Sequence, residues 1–171
     1  MNDYVLIFIT AFTILALAFI ISRLLKNQQQ KFDERQQIVR GKASTYAFKA
    51  MMIYGALYLS CSQLFEIEFL TTSVALMIDM FVGLVVYAIY SIWNEAFFSL
   101  NETPKKHIMI LILAFVLNAF NAITSIIDGK IIENGTLTLN SITLICAIAF
   151  TVVLTTLLIK IILIKKSEQE G

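Results

Sequence analysis

A five-helix, all-α transmembrane bundle is predicted by hydropathy, by the length of the apolar stretches and by where the basic residues fall. Hydrophobic residues make up 58% of the chain and charged residues 15%, against roughly 45–50% and 25% in soluble domains. Mean hydropathy is +0.81. A helix rising about 1.5 Å per residue needs about 20 apolar residues to cross about 30 Å of hydrocarbon. Five stretches, about 4–25, 46–65, 73–93, 108–127 and 141–164, meet that length. Their connections are too short for a separate soluble domain, so 1–171 reads as a single membrane domain.

Orientation follows from charge. The segments on one side of a five-span arrangement carry Arg23, Lys26, Lys31, Arg35, Arg40, Lys42, Lys49, Lys105, Lys106, Lys160, Lys165 and Lys166, and only Lys130 falls on the other. Lys and Arg are retained on the cytoplasmic face during insertion. The amino terminus is therefore expected outside and the carboxyl terminus in the cytoplasm. The first stretch differs from a signal peptide: Asn2 and Asp3 replace a basic leader, and Ala16-Leu17-Ala18 lies inside the apolar run. It is expected to remain as a span.

The second stretch is the most polar of the five. It holds Lys49, Ser60, Ser62 and Gln63, and Lys49 is expected to snorkel its ammonium to the cytoplasmic headgroups. Removing this span would separate the basic connection and the basic tail onto opposite sides. Before it, residues 26–45 read as an amphipathic cytoplasmic elbow. Asp33 and Gln36 fit an Asp-x-x-Gln capping box. Phe32, Val39, Ala43, Tyr46 and Ala50 recur on one helical face. Lys31, Arg35, Lys42 and Lys49 trace an adjacent basic face, which either rests on anionic lipid, at about 1 kcal/mol per cation, or is an ordinary solvated connection. Gly41 is a place where that helix could bend on its way into the span.

The fourth stretch opens at Thr103-Pro104, a capping residue before a proline tolerated at the first helical position, and stops at Asp128-Gly129. Residues 130–139 place Asn134-Gly135 between short β-prone runs, a hairpin signal that would need support from the helix ends. Cys61 and Cys146 fall within spans and read as small buried apolar residues. Ala56 and Ser60 form one small-xxx-small pair.

Asp79 is the leading intramembrane candidate, because an acid within a span normally faces a partner or water. It lies about six residues, or roughly 9 Å, from the outer edge of its span. Asn121 matches that depth, and Asn118 sits one turn deeper on the same face. The trio Asp79, Asn118 and Asn121 is expected either to fix helix register or to line a small cavity for a cation or proton. Glu66 and Glu68 form an acidic external loop without enough further oxygen ligands for a metal. Trp93, Asn94 and Glu95 end the third span as interfacial residues, and His107 is expected at headgroup level. No nucleotide loop, zinc motif, nucleophile elbow or Cys-x-x-Cys pair occurs. No catalytic residue, metal or cofactor is expected, nor is nucleic-acid binding.

Phe32-Asp33-Glu34-Arg35-Gln36 followed by Arg40-Gly41-Lys42-Ala43 resembles a segment of small uncharacterised multi-pass membrane proteins of Gram-positive bacteria, which place Asp-Glu-Arg-Gln just before a span. The resemblance covers about a dozen residues. It implies a bacterial cell membrane and no particular activity. The expected function is that of a non-enzymatic accessory or regulatory membrane protein, whose elbow residues Arg35, Arg40, Lys42 and Lys49 contact anionic lipid or a protein partner. A small oligomeric transporter or channel using Asp79, Asn118 and Asn121 is the alternative. A third is immunity to a membrane-active peptide through the Glu66–Thr72 loop and the hairpin.

Overall fold

The computed structural model describes residues 32–65, 70–100, 104–133 and 135–170. Among them run helix α1 (Glu34–Phe65), α2 (Thr72–Trp93), α3 (Pro104–Ile127), strands β1 (Ile132–Glu133) and β2 (Thr136–Leu137), and α4 (Ser141–Glu170). The apolar stretch 4–25, elbow residues 26–31, Glu66, Glu68 and Asn134 lie outside the described residues.

Among the described residues three helical segments are long and apolar enough to cross a membrane: Thr72–Trp93, His107–Ile127 and Ser141–Ser167. The stretch 46–65 is not among them, because Lys49, Tyr54, Tyr58 and Gln63 dilute it. It is also not a separate element. Elbow residues 34–45 and the stretch that follows form one helix, continuous through Gly41.

Asp33 starts that helix, its carboxylate accepting the Gln36 N–H, which satisfies one of the donors left free at a helix start. The capping box stops there. Gln36 does not reach back to Asp33, since its side chain crosses to the segment after α2. Gln36, Ala43 and Ala47 are buried, while Ala50, Met51, Tyr54 and Tyr58 continue that face half-buried. This face packs on α2. Tyr46, expected on it, is 47% exposed. Ala56, Ser60 and Cys61 are also exposed, so the small residues that bring the two helices together are Ala43 and Ala47, met by Gly83.

The helices pack in the spatial order α1–α2–α4–α3, with α1 antiparallel to α2 and α3 to α4, while α2 and α4 run parallel, joined near their starts through Leu137 and beyond the end of α2 by the Glu95–Lys160 pair. Gln36 lies level with Glu95 and Tyr58 with Leu70, so α1 and α2 run together for about 33 Å at 1.5 Å per residue. That matches the thickness of a hydrocarbon core. The central seam joins Ala88 and Ile92 of α2 to Val153 and Leu157 of α4, with Phe97, Phe98, Ile108 and Leu111 packed against it. Outward faces are strongly apolar: Phe48 and Met52 on α1, and Met109 and Phe120 on α3, are each at least 60% exposed. Exposed apolar surface this continuous is costly in water and natural in lipid.

At the opposite end from Gln36, Ile132 pairs with Leu137 and Glu133 with Thr136. Gly135 at the turn has φ +81°, a conformation that glycine adopts without a Cβ clash. The hairpin is tied to the start of α2. Leu70 bridges to Leu137, and Thr71 Oγ1 donates to the Leu137 carbonyl at 3.4 Å while capping nothing in its own helix. A hydrogen bond from Lys130 to Asp128, 2.7 Å long, and the carboxylate's charge raise the lysine pKa. Both side chains are exposed.

Candidate functional site

Two helices end in the same backbone motif with different residues at its hinge. After α3, Gly129 N–H bonds to Ile126 O and Lys130 N–H to Ser125 O, with Gly129 at φ +67°. After α2, Glu95 N–H bonds to Ile92 O at 3.2 Å and Ala96 N–H to Ser91 O at 2.8 Å, with Glu95 at φ +57°. Both are Schellman turns, which need a left-handed residue and normally use glycine. A residue with a Cβ there costs roughly 1–2 kcal/mol. Glu95 is the sole non-glycine residue with positive φ among the described residues.

Its surroundings offset that cost. Glu95 Oε1 lies 3.0 Å from Lys160 Nζ on α4, and Oε2 lies 3.8 Å from Arg35 on α1. The Glu95 carbonyl accepts a 2.9 Å hydrogen bond from Gln36 Nε2, which also reaches Phe98 O at 3.4 Å. One residue on α2's terminal turn therefore meets α1 twice and α4 once. The two ion pairs differ in weight. Lys160 has a side chain only 20% exposed, bonds directly, and lies 5.9 Å from the Trp93 ring centroid. Arg35 is 61% exposed and too distant for a hydrogen bond, so water screens it. Gln36 is 6% exposed and makes the more costly contact to lose.

Beside the pair, Ile92, Phe97, Phe98, Leu157, Ile161 and Ile164 enclose an apolar cavity of about 230 Å³. Phe97 and Phe98 meet edge to face at 5.0 Å, and Phe98 packs on His107 at 5.9 Å. On the outer side of α1 and α2 lies an open groove of about 540 Å³, with Tyr46 and Tyr90 packed 5.0 Å apart and Lys49, Trp93 and Asn94 also lining it.

Of the basic elbow residues singled out in the sequence, Arg35, Arg40 and Lys49 have separate partners. Arg35 pairs with Glu95. Arg40 sits 4.0 Å over the Phe32 ring and 5.8 Å from that of Tyr87. Lys49 lies 5.9 Å over Tyr46. Lys42 is exposed.

Asp79, Asn118 and Asn121 are not brought together. Helix α4 separates the α2 that carries Asp79 from the α3 that carries the asparagines. Asn118 Nδ2 donates at 2.8 Å to Ala114 O in its own helix, and Asn121 is exposed. Matched depth does not make two helices neighbours. Asp79 is instead within electrostatic range of Tyr54 on α1. Asp79 Oδ1 and the Tyr54 hydroxyl are both buried without a hydrogen-bond partner. No family model, curated protein or solved structure matches the chain.

Among the described residues no group of three His, Cys, Asp or Glu side chains is placed to hold a metal. Cys61 and Cys146 are both free thiols. What the Glu95 hub can do chemically is hold charge and position helices. The sequence carried one signal for it: Lys160 lies within an apolar run, where a cation needs an acid, and Glu95 ends the span that packs beside it.

Proposed function

We propose that this chain is a non-enzymatic accessory or regulatory protein of a bacterial cell membrane, crossing it five times with the amino terminus outside. The helix end built around Glu95 would face the cytoplasm and engage anionic lipid or an acidic surface of a protein partner. The observation that carries this is the convergence of charge. Antiparallel packing collects Arg35, Arg40, Lys42, Lys105, Lys106, Lys160, Lys165 and Lys166 towards one end, opposite Lys130. Glu95 neutralises part of that charge and ties three helices together, so the site is a cationic end with an internal fastening. Retention of basic residues in the cytoplasm supports the orientation, and the Asp-Glu-Arg-Gln resemblance supports the bacterial membrane.

Reversal of Arg35, Arg40 and Lys42 to Glu should abolish cross-linked capture of a partner from native membranes. Cysteine labelling in intact cells checks that insertion is unchanged, with position 165 protected and position 134 reactive. Capture that survives reversal, or labelling of position 165 from the medium, removes the proposal.

A second reading, transport of a proton or cation, is favoured by the buried, unpartnered Asp79 Oδ1 and Tyr54 hydroxyl, since ionisable groups at membrane depth mark pathways. It predicts flux in proteoliposomes that falls at least tenfold in Asp79→Asn. Absence of flux in the parent protein rejects it.

A further inference from the structure

Helix α1 is too polar for the surroundings its packing gives it. It lies beside α2 for a membrane's thickness, so where α2 crosses the bilayer α1 crosses with it. Yet α1 is not among the segments apolar enough to span alone. Lys49 is the sharpest case. It lies thirteen residues along α1 from Gln36, about 20 Å at 1.5 Å per residue, near the middle of a paired stretch of about 33 Å. More than two turns of paired helix separate it from either edge, further than a lysine side chain snorkels.

The Lys49 ammonium lies 5.9 Å over the Tyr46 ring, at the limit of cation–π range. A cation at membrane depth is costly without a counter-charge. Among the described residues no carboxylate pairs with it; Glu95 is engaged by Lys160 and Arg35, and Asp128 by Lys130. Of the chain's twelve acidic residues only Asp79 falls within one of the apolar stretches, and its Oδ1 is buried. Stretch 4–25 holds no acidic residue. Neither that stretch nor a second copy of this chain therefore has a free carboxylate to bring to Lys49.

Lys49 is the one charged side chain on the outer groove, which is lined further by Ala50 and Ile53 of α1 and by Val86 and Ile89 of α2. From Val86 to Trp93 the groove runs for about two helical turns. An open apolar trough of that length, with its cation at mid-membrane, suits the flank of one helix. We propose that the α1–α2 groove docks a transmembrane helix of a partner protein that carries an Asp or Glu at mid-membrane, its carboxylate on Lys49. Such an acid is as costly alone as the lysine is, so each residue supplies the counter-charge the other lacks. This rests on the accessory-protein reading above but not on its orientation, because mid-depth is the same from either face.

Trp93 is the chain's sole tryptophan and lines the groove, so a quencher on an incoming helix reports docking. The full-length protein is reconstituted in phosphatidylcholine vesicles with a peptide of about 20 Leu and Ala residues. The peptide carries a nitroxide at each end and Glu or Gln at its centre. The Glu peptide should quench Trp93 at about one tenth of the peptide-to-lipid ratio that the Gln peptide needs, near the upper end for one interhelical polar contact in a membrane. Lys49→Gln takes a cation out of hydrocarbon, so it should unfold no earlier than the parent, and it should abolish the difference. Lys49→Glu should transfer the preference to a peptide with a central Lys. Equal titrations of the Glu and Gln peptides against the parent overturn the proposal, and so does a Glu preference that persists in Lys49→Gln. Absence of quenching by either peptide overturns it too: the groove is then filled, by a second copy where dilution in lipid restores access and by stretch 4–25 where it does not. Reversal of Arg35, Arg40 and Lys42 should leave the peptide titrations unchanged, which separates failure of the groove from failure of the basic end.

Discussion

Replacing Glu95 by lysine should destabilise the protein by roughly 2 kcal/mol, and replacing it by glycine should leave stability close to the parent value. The two substitutions separate backbone from charge. Glycine removes the left-handed penalty of roughly 1–2 kcal/mol while giving up the 3.0 Å pair with Lys160 and the weaker pair with Arg35. Lysine keeps the penalty and sets three cations together. Unit charges 4 Å apart at an effective dielectric of 20 interact by about 4 kcal/mol. Glu95's side chain is 55% exposed, so solvent halves that figure or better. Alanine should fall between, keeping the strained backbone without any ion pair. The expected order of unfolding midpoints in mild detergent is Glu95→Lys lowest, then Glu95→Ala, then parent and Glu95→Gly together. Exchange of charge, Glu95→Lys with Lys160→Glu, should recover at least half the loss, because pairs in contact couple by about 0.5–3 kcal/mol. Equal midpoints for Ala and Gly would show that the turn stores no strain. A neutral lysine variant would show that the ion pairs are idle.

How far this site could be read from the sequence depends on which interactions are local. Asp33 accepting from Gln36 spans three residues, and residue type plus spacing suffices to see it. The destination of the Gln36 side chain is Glu95 and Phe98, fifty-nine and sixty-two residues away. Nothing within a capping motif encodes that. The same division separates the hairpin from the polar trio. Asn134-Gly135 and the flanking β-formers act over six residues, and strand pairing Ile132 with Leu137 follows from local turn geometry. Asp79 and Asn121 share a depth, which hydropathy gives. Whether they meet depends on the order α1–α2–α4–α3, which is set by side-chain fit along whole helices. Apolar runs long enough for spans were legible at residues 73–93, 108–127 and 141–164. At 46–65 the apolar run blurs into a polar start because α1 packs on α2 through small residues and one glutamine, with Gln36 buried and Ala43 at 0% exposure. The small-residue face there packs on a neighbouring helix, while Arg35 and Lys42 on the adjacent basic face, expected on anionic lipid or in solvent, are exposed.

Gly83 is where that packing is tightest, and enlarging it should have the greatest effect on how α1 sits against α2. A Cβ built at Gly83 would lie 2.5 Å from Met51 Sδ and 2.8 Å from Met51 Cγ, with the Ala47 carbonyl 3.8 Å away. A methionine side chain is flexible enough to yield to one methyl group. Gly83→Ala should therefore cost less than 1 kcal/mol, and Met51→Ala alongside it should recover most of that. Leucine is different, because its branch must pass Met51 and then meets the α1 backbone at Ala47. Overpacking of this kind costs about 1–3 kcal/mol, and the strain falls midway between the Gln36–Glu95 contact and the Tyr58–Leu70 contact. Gly83→Leu should therefore lower the unfolding midpoint. Met51→Ala should rescue Gly83→Leu only in part, since the Ala47 carbonyl cannot move without the helix. Full rescue would mean that Met51 alone sets the separation. No effect of Gly83→Leu on the unfolding midpoint would mean that α1 and α2 do not hold this close approach in the membrane.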